Sequence, residues 1–231
     1  SVSSLLAVDE SIDRALGERR ALAQVTAGQV DYIVRQGLKM LEEPAATEGF
    51  DLEDADPEPE RRALRRALSG SIFTRVYLTD AEGEVLWTEP LYSSALGVNL
   101  GFSADAKATL ESGRPSVSGL STAVADGEPV VSVVAPVRGP SGRLAGMITG
   151  DIVLSGTHLG DMIRPAAVGR TGYAQIVDSY GTVLASTRPG ELLEKSDHEG
   201  QVAALIKEKR TSSGTCHGCH ETAGEEERQT E

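Results

Sequence analysis

Cysteine, tryptophan and basic charge are all scarce in this chain. Two cysteines in 231 residues exclude a disulfide-stapled scaffold. A single tryptophan and 4% aromatic residues leave the core to Val, Leu, Ile and Ala. The 22 Lys and Arg residues are outnumbered by 35 Asp and Glu, for a net charge of −13, and acids exceed bases in residues 1–70, 71–170 and 171–231 alike. No face is therefore expected to dock phosphates, which excludes nucleic acid and an anionic membrane surface as partners. No apolar run approaches the roughly 20 residues that cross a bilayer. No Ser/His/Asp set, paired catalytic carboxylates or phosphate-cradling glycine loop emerges, so no enzymatic activity is expected of this portion. With 39% hydrophobic and 25% charged residues, the composition is that of a globular α+β protein of one or two domains.

The first 43 residues read as one long helix. Leu5, Ile12, Leu16, Ala23, Val30, Ile33 and Met40 recur at helical spacings, although Gly17, Gly28 and Gly37 weaken it locally. At 1.5 Å per residue such a helix is about 65 Å long, more than a small domain is wide. Its heptad-like apolar seam suits a homodimer as well as packing within one chain. The acidic, proline-bearing stretch Pro44–Pro59 reads as a solvated loop, without the spaced ligands and central glycine of a calcium loop. A short helix over Glu60–Ser69 ends at Gly70.

The period then changes. Ile72–Thr79 and Glu84–Thr88 are expected as strands around the turn Asp80-Ala81-Glu82-Gly83, where Asp can bond the backbone ahead and Gly can take a positive φ. Ser103 caps a helix that runs to Ser112 and stops at Gly113. Pro115–Ala125, Pro129–Arg138 and Arg143–Leu154 follow as strands joined by short turns, hence a meander. The expectation is a five-stranded antiparallel sheet with helices on one face only.

The hairpin is repeated. Asp80-Ala81-Glu82-Gly83-Glu84-Val85-Leu86 is matched by Asp178-Ser179-Tyr180-Gly181-Thr182-Val183-Leu184, with strands over Tyr173–Val177 and Thr182–Ser186 and a helix over Ser196–Arg210. Copies of the later strands would run past Glu231, so the second unit is expected to be incomplete. The organisation predicted is an N-terminal segment, 1–70, a first unit, 71–165, and a second unit, 166–231.

A long N-terminal helix, two D-x-x-G-x-V-L hairpins each followed by a helix, and the strand Leu144–Ile152 resemble the double Cache family of tandem PAS-like sensor domains. The resemblance implies an extracytoplasmic, periplasmic portion of a membrane receptor such as a histidine kinase, chemoreceptor or diguanylate cyclase, with the output domain across the membrane. Amino-acid-sensing members carry Arg, Trp, Tyr and Asp around the distal pocket. Trp87, Tyr92 and Asp151 correspond to parts of that set, but no Arg stands beside Trp87, and Trp87 and Tyr92 read as packing residues. Gly139–Gly142 and Val130–Val137 are expected to border such a pocket.

The sharpest chemical signal is Cys216-His217-Gly218-Cys219-His220, which contains C-x-x-C-H, the attachment sequence of a c-type haem. Two thiols at this spacing can each add to one haem vinyl group, and the adjacent imidazole of His220 then reaches the iron. These are the chain's only cysteines. A Cys216–Cys219 disulfide, a zinc site completed by His217, His220 or His198, and a redox dithiol are the alternatives; neither a second cysteine pair nor a strand-to-helix context accompanies the motif. His198 is the first candidate for the second axial ligand, ahead of His158 and Met162, with an open position for water, NO or CO as the other option. One covalent haem c would make this a sensor of redox state or a small gas. The alternatives are an electron-transfer cytochrome and a receptor for a small organic ligand in which the haem is structural.

Overall fold

Helical spacing from the first residues onward is realised as α1, Val2–Ala45. Its fully buried positions among the described side chains lie in the C-terminal half, where Thr26, Gly37 and Leu41 are buried and Val30, Ile33, Val34 and Leu38 half-buried, a stripe at spacings of three and four. Ile12 and Ala23, expected on the stripe, are exposed. The computed structural model describes residues 2–45, 51–52, 56–155, 157–169, 172–188, 190–196, 201–208 and 211–212. Residues 26–162 form one compact unit, and residues 1–25 with 163–231 form another.

In the first of these, α2 (Glu58–Leu68) buries Glu60, Ala63, Leu64 and Ala67, one face at spacings of three and four. Strands β1 (Arg75–Asp80) and β2 (Val85–Glu89), helix α3 (Ala104–Ser112), and strands β3 (Ser116–Thr122), β4 (Pro129–Arg138) and β5 (Leu144–Val153) follow, then α4 (Thr157–Ile163). The sheet is antiparallel in the order β2-β1-β5-β4-β3, so the meander β3-β4-β5 receives the hairpin on β5. Ser103 Oγ accepts from the Ala106 amide, and Gly113 closes α3 in the left-handed region, as the capping signals require.

Three boundaries differ from the sequence reading for local reasons. β1 starts at Arg75 rather than Ile72, because Ser71 Oγ bonds the Leu68 carbonyl and the Phe73 amide and bends the chain there. β3 stops at Thr122, because the Ala123 amide donates to the Glu128 carbonyl and closes the turn early. Tyr173 and Ala174 precede the strand β6, Gln175–Val177.

Alternation sorts the sheet into two faces. Val76, Leu78, Val133, Ala135, Val137, Ile148 and Ile152 pack with Leu41 of α1 and Ala63, Leu64 and Ala67 of α2. Phe73 joins them in a slot that only glycines permit: a Cβ on Gly37 would lie 2.9 Å from its ring and one on Gly150 2.6 Å. On the opposite face Ala106 and Leu110 of α3 pack on Val134 and Met147, while Tyr92, Ala95 and Leu100 of the loop after β2 cover Tyr77 and Val85. Both faces are therefore covered, which corrects the expectation that helices lie on one face. The reason is the β2–α3 connection, which crosses the second face and carries α3 onto it.

The unit of residues 1–25 and 163–231 contains the second hairpin, β6 with β7 (Val183–Ser186), and α5 (Gln201–Glu208). Among the described residues its sheet has two strands. The repeat is reproduced bond by bond. Asp80 Oδ1 accepts from the Glu82 and Glu84 amides at 3.0 and 2.8 Å; Asp178 Oδ1 accepts from those of Tyr180 and Thr182 at 2.8 and 2.9 Å. Gly83 and Gly181 both have positive φ. Beyond the hairpin, the Val85 amide donates to Val98 and Gly97 donates back to Val85; Val183 and Leu193 make the same pair of bonds through Glu194.

Candidate functional site

The second face of the five-stranded sheet carries polar side chains where a core would be apolar. β1 places Arg75 and Tyr77 there, with Val76 and Leu78 pointing the other way. Antiparallel register sets Arg75 opposite Asp151 and Tyr77 opposite Thr149 on β5, and Asp151 opposite Ser132 on β4. Arg75, Tyr77, Thr149 and Asp151 are 3, 1, 5 and 3% exposed. Four polar residues on neighbouring strands are thus withdrawn from water together.

Some of their polar atoms are paired. Ser132 Oγ donates to Asp151 Oδ1 at 2.7 Å, and the Ser132 amide donates to Ser118 Oγ at 2.8 Å. The Arg75 guanidinium bonds Asp126 through Nη1 and Glu128 Oε2 through Nη2, the latter at 3.0 Å. Both acids belong to the β3–β4 turn, which Arg75 thereby ties to β1. Arg75 also lies 5.6 Å from the ring centre of Tyr92, in the loop after β2. That loop and the turn are joined by Ser94 Oγ donating to the Ala125 carbonyl at 3.1 Å. The two segments together form the cover over this face.

Other polar atoms are not paired. Arg75 Nε, Tyr77 Oη and Thr149 Oγ1 are buried without a hydrogen-bond partner. Leaving one such atom unsatisfied costs about 1–3 kcal/mol, so three on neighbouring register positions make this face the candidate functional site. The remaining such atom among the described residues, Glu60 Oε2 of α2, is not part of this cluster. Burial pushes the Asp151 carboxyl up from its ordinary range, against the opposing hydroxyls of Ser132 and of Tyr77, which lies close to Asp151 although outside good hydrogen-bond geometry, and against the nearby Arg75 charge. Burial and the Asp151 charge push the Tyr77 hydroxyl up. Burial disfavours the charge on Arg75, but its bond to Asp126 and the surrounding acids outweigh that and hold it protonated. The same bond lowers Asp126. One cation therefore stands among three carboxylates, those of Asp126, Glu128 and Asp151. The arrangement can accept a cationic group at Asp151 and offer donors to an oxygen at Arg75 Nε, Tyr77 and Thr149.

Of the residues singled out from the sequence, Tyr92 and Asp151 belong to this cluster, and Tyr92 also packs, as expected, in the apolar cover. Trp87 sits on the other face, packed against the α2 core with Arg61 5.5 Å from its ring centre. Met162 lies in α4. Cys216, Cys219, His220, His217 and His198 lie outside the described residues, as do the side chain of His158 and the haem motif as a whole. Sequence reasoning missed Arg75, Tyr77, Thr149, Ser132, Asp126 and Glu128. The available signal was Arg75-Val76-Tyr77-Leu78, a strand with polar groups alternating on a side that α3 and a loop also bury.

No protein-family model matches the chain, and no curated protein matches it in sequence. Solved structures do match. The ligand-binding domain of the Pseudomonas aeruginosa amino-acid chemoreceptor PctC, in complex with GABA, superimposes with a TM-score of 0.61 at 21% identity, over 79% of this chain and 80% of that one. The ligand-binding domain of the Pseudomonas fluorescens chemoreceptor CtaA, bound to L-isoleucine, gives 0.63 at 19% identity, over 84% and 76%. An extracellular ligand-binding receptor from Desulfohalobium retbaense gives 0.61 at 17% identity, over 84% of this chain and 34% of that one. The fold is that of these ligand-binding domains. It bears out the α+β arrangement of long helix and PAS-like units expected from the Cache resemblance. No helix among the described residues is long and apolar enough to cross a membrane.

Proposed function

We propose that this chain is an extracytoplasmic, Cache-type sensor portion of a membrane signalling receptor, and that it binds a small organic molecule on the covered face of its five-stranded sheet. The observation that carries the reading is the group of buried polar atoms on Arg75, Tyr77 and Thr149 that make no well-formed hydrogen bond, beside the Asp151 carboxyl. The structural neighbours hold GABA and L-isoleucine, both small molecules with an amine and a carboxylate. Here the amine suits Asp151 and the ligand's oxygen suits the three donors. The role is sensing, not catalysis. Calorimetric titration with amino acids, GABA and simple amines tests it: at least one should bind, and Asp151→Asn should weaken it about a hundredfold, the scale of a lost buried ion pair. Absence of binding across the panel, or equal binding by the variant, overturns the proposal.

A covalent haem c in the second unit is the companion proposal, supported by the C-x-x-C-H motif and by an extracytoplasmic location, where thioether attachment is made. Cys216 and Cys219 would carry the porphyrin and His220 would ligate the iron, with His198 as the candidate second ligand. The haem supplies a redox-active, gas-binding iron, which suits a redox or NO/CO input alongside the organic ligand. Protein matured in a cytochrome c assembly background should show a Soret band that survives acid–acetone extraction, and His198→Ala should alter its low-spin spectrum. Colourless protein with both thiols free to alkylate overturns the haem; an unchanged His198→Ala spectrum removes that ligand.

A further inference from the structure

Basic side chains are nearly absent around the covered sheet face. Arg75 and Arg138 are the bases of β1 to β5, and Arg138, at the far end of β4, donates to the carbonyls of Gly113 and Gly142. Residues 91–102 of the cover contain no Lys, Arg or His, and residues 123–128 contain two acids and no base. Lys107, the base of α3, is exposed and lies 3.8 Å from Glu111. Among these elements Arg75 is therefore the cation that a ligand on this face can reach. It already faces two carboxylates, with Nη1 on Asp126 and Nη2 on Glu128, and Asp151 stands opposite it in the register.

This distribution bears on the ligand's oxygen. A carboxylate presented to Arg75 would join Asp126 and Glu128 on one guanidinium, and like charges brought together at a binding site cost affinity. A neutral oxygen meets no such opposition. A hydroxyl also matches the atoms that make no well-formed hydrogen bond, because Arg75 Nε can only donate whereas Tyr77 Oη and Thr149 Oγ1 can donate or accept. It can accept from the first and donate to either of the others. A carboxylate can only accept.

Resting on the ligand site proposed above, we infer that this face selects an amine whose second polar group is uncharged, an amino alcohol or amino amide, over the corresponding amino acid. The ammonium lies at Asp151 and the neutral oxygen at Arg75 Nε, Tyr77 and Thr149. Asp126 and Glu128 are then specificity-determining residues: by holding Nη1 and Nη2 of Arg75 they withhold it from an anion.

The test is calorimetric titration of the whole chain with matched pairs: alanine and alaninol, leucine and leucinol, phenylalanine and phenylalaninol, GABA and 4-aminobutanol. In each pair that binds, the amino alcohol should bind about tenfold more tightly than the amino acid, or better. Glu128→Gln, at a half-exposed position and with a side chain of the same length, frees Arg75 Nη2 from a carboxylate. It should narrow that ratio about tenfold, chiefly by tightening the amino acid. Asp126→Asn should act in the same direction. A purely structural role of the two acids would weaken both members of a pair equally and leave the ratio where it was. Equal or tighter binding of the amino acid by the unaltered chain, or a ratio unmoved by both variants, overturns the inference and leaves the amine-binding face standing. Binding of neither member of any pair overturns that face as a ligand site, and the inference with it.

Discussion

The two hairpins share a turn and part in everything around it. Asp80 and Asp178 make the same two bonds to the backbone ahead, and Gly83 and Gly181 take the same left-handed conformation. Yet β1 lies between β2 and β5 and is buried almost throughout, whereas β6 pairs with β7 alone among the described residues and is half-buried. At the positions of Arg75 and Tyr77, the second hairpin has Tyr173 and Gln175. A turn is thus specified by four residues wherever it occurs, while a binding face depends on what the neighbouring strands add. Gln175 finds its partners nearby, donating to Glu191 at 2.7 Å and accepting from Ser196, whereas Tyr77 Oη has none. Satisfied polar groups in one copy and unsatisfied ones in the other are why the proposed ligand site lies in the first.

The contrast is broken most severely at Gly146, opposite Asp80 in the β1–β5 ladder, where a Cβ would run into the Thr79 carbonyl oxygen. Gly146→Ala should cost about 3 kcal/mol, read by urea denaturation, with hydrogen exchange showing the loss in β1 and β5 but not in β6 and β7. Next come two arginines of opposite setting. Arg75 is 3% exposed and holds two acids; Arg188, over the Tyr173 ring, has a half-exposed side chain and a 3.5 Å contact with Glu191. Arg75→Met should destabilise by about 2–3 kcal/mol and Arg188→Met by no more than about 0.5 kcal/mol. Equal losses in thermal denaturation would erase the distinction between the faces.

Leu193 sharpens the comparison in the other direction. It occupies the place of Gly97 and, like it, has a positive φ, at 70°, the one such non-glycine among the described residues. Leu193→Gly should stabilise the second hairpin by about 1 kcal/mol, measured by denaturant midpoint or by slower exchange at the Val183 amide. Acid gives the smallest effect. Glu191 is lowered chiefly by its Ser186 bond and Asp126 chiefly by its Arg75 bond, so each contributes stability above its unfolded pKa that is lost as pH falls through its folded value. Asp151 is raised by burial and works oppositely: its contribution is present below the unfolded pKa and lost as pH rises through the folded one. Acidification should therefore raise exchange in β6 and β7 more than in β1 and β5.

What could be read in advance follows the same division. Ser103, Gly113 and the two D-x-x-G turns act through bonds to residues one to four positions away, so caps, turns and the repeat were legible. The coverage of both sheet faces was not, because it depends on the path of residues 91–103 across the sheet. The cluster of Arg75, Tyr77, Thr149, Asp151 and Ser132 was not, because register alone assembles it from three strands. Asp151, Tyr92 and Trp87 were singled out through family resemblance, Tyr92 and Trp87 as packing residues, and alternation puts Trp87 on the far face. The haem motif is the reverse case, legible in five consecutive residues and lying outside the described structure.

Hydrogen exchange of the chain with and without the amine-bearing ligand found in the calorimetric panel is the most direct test of the covered sheet face as a sensing site. The expected result is protection concentrated in residues 91–102 and 123–128, the two segments that close over Arg75 and Asp151, and absent in Tyr77→Phe with Asp151→Asn. Protection located elsewhere with these two segments unchanged would contradict it.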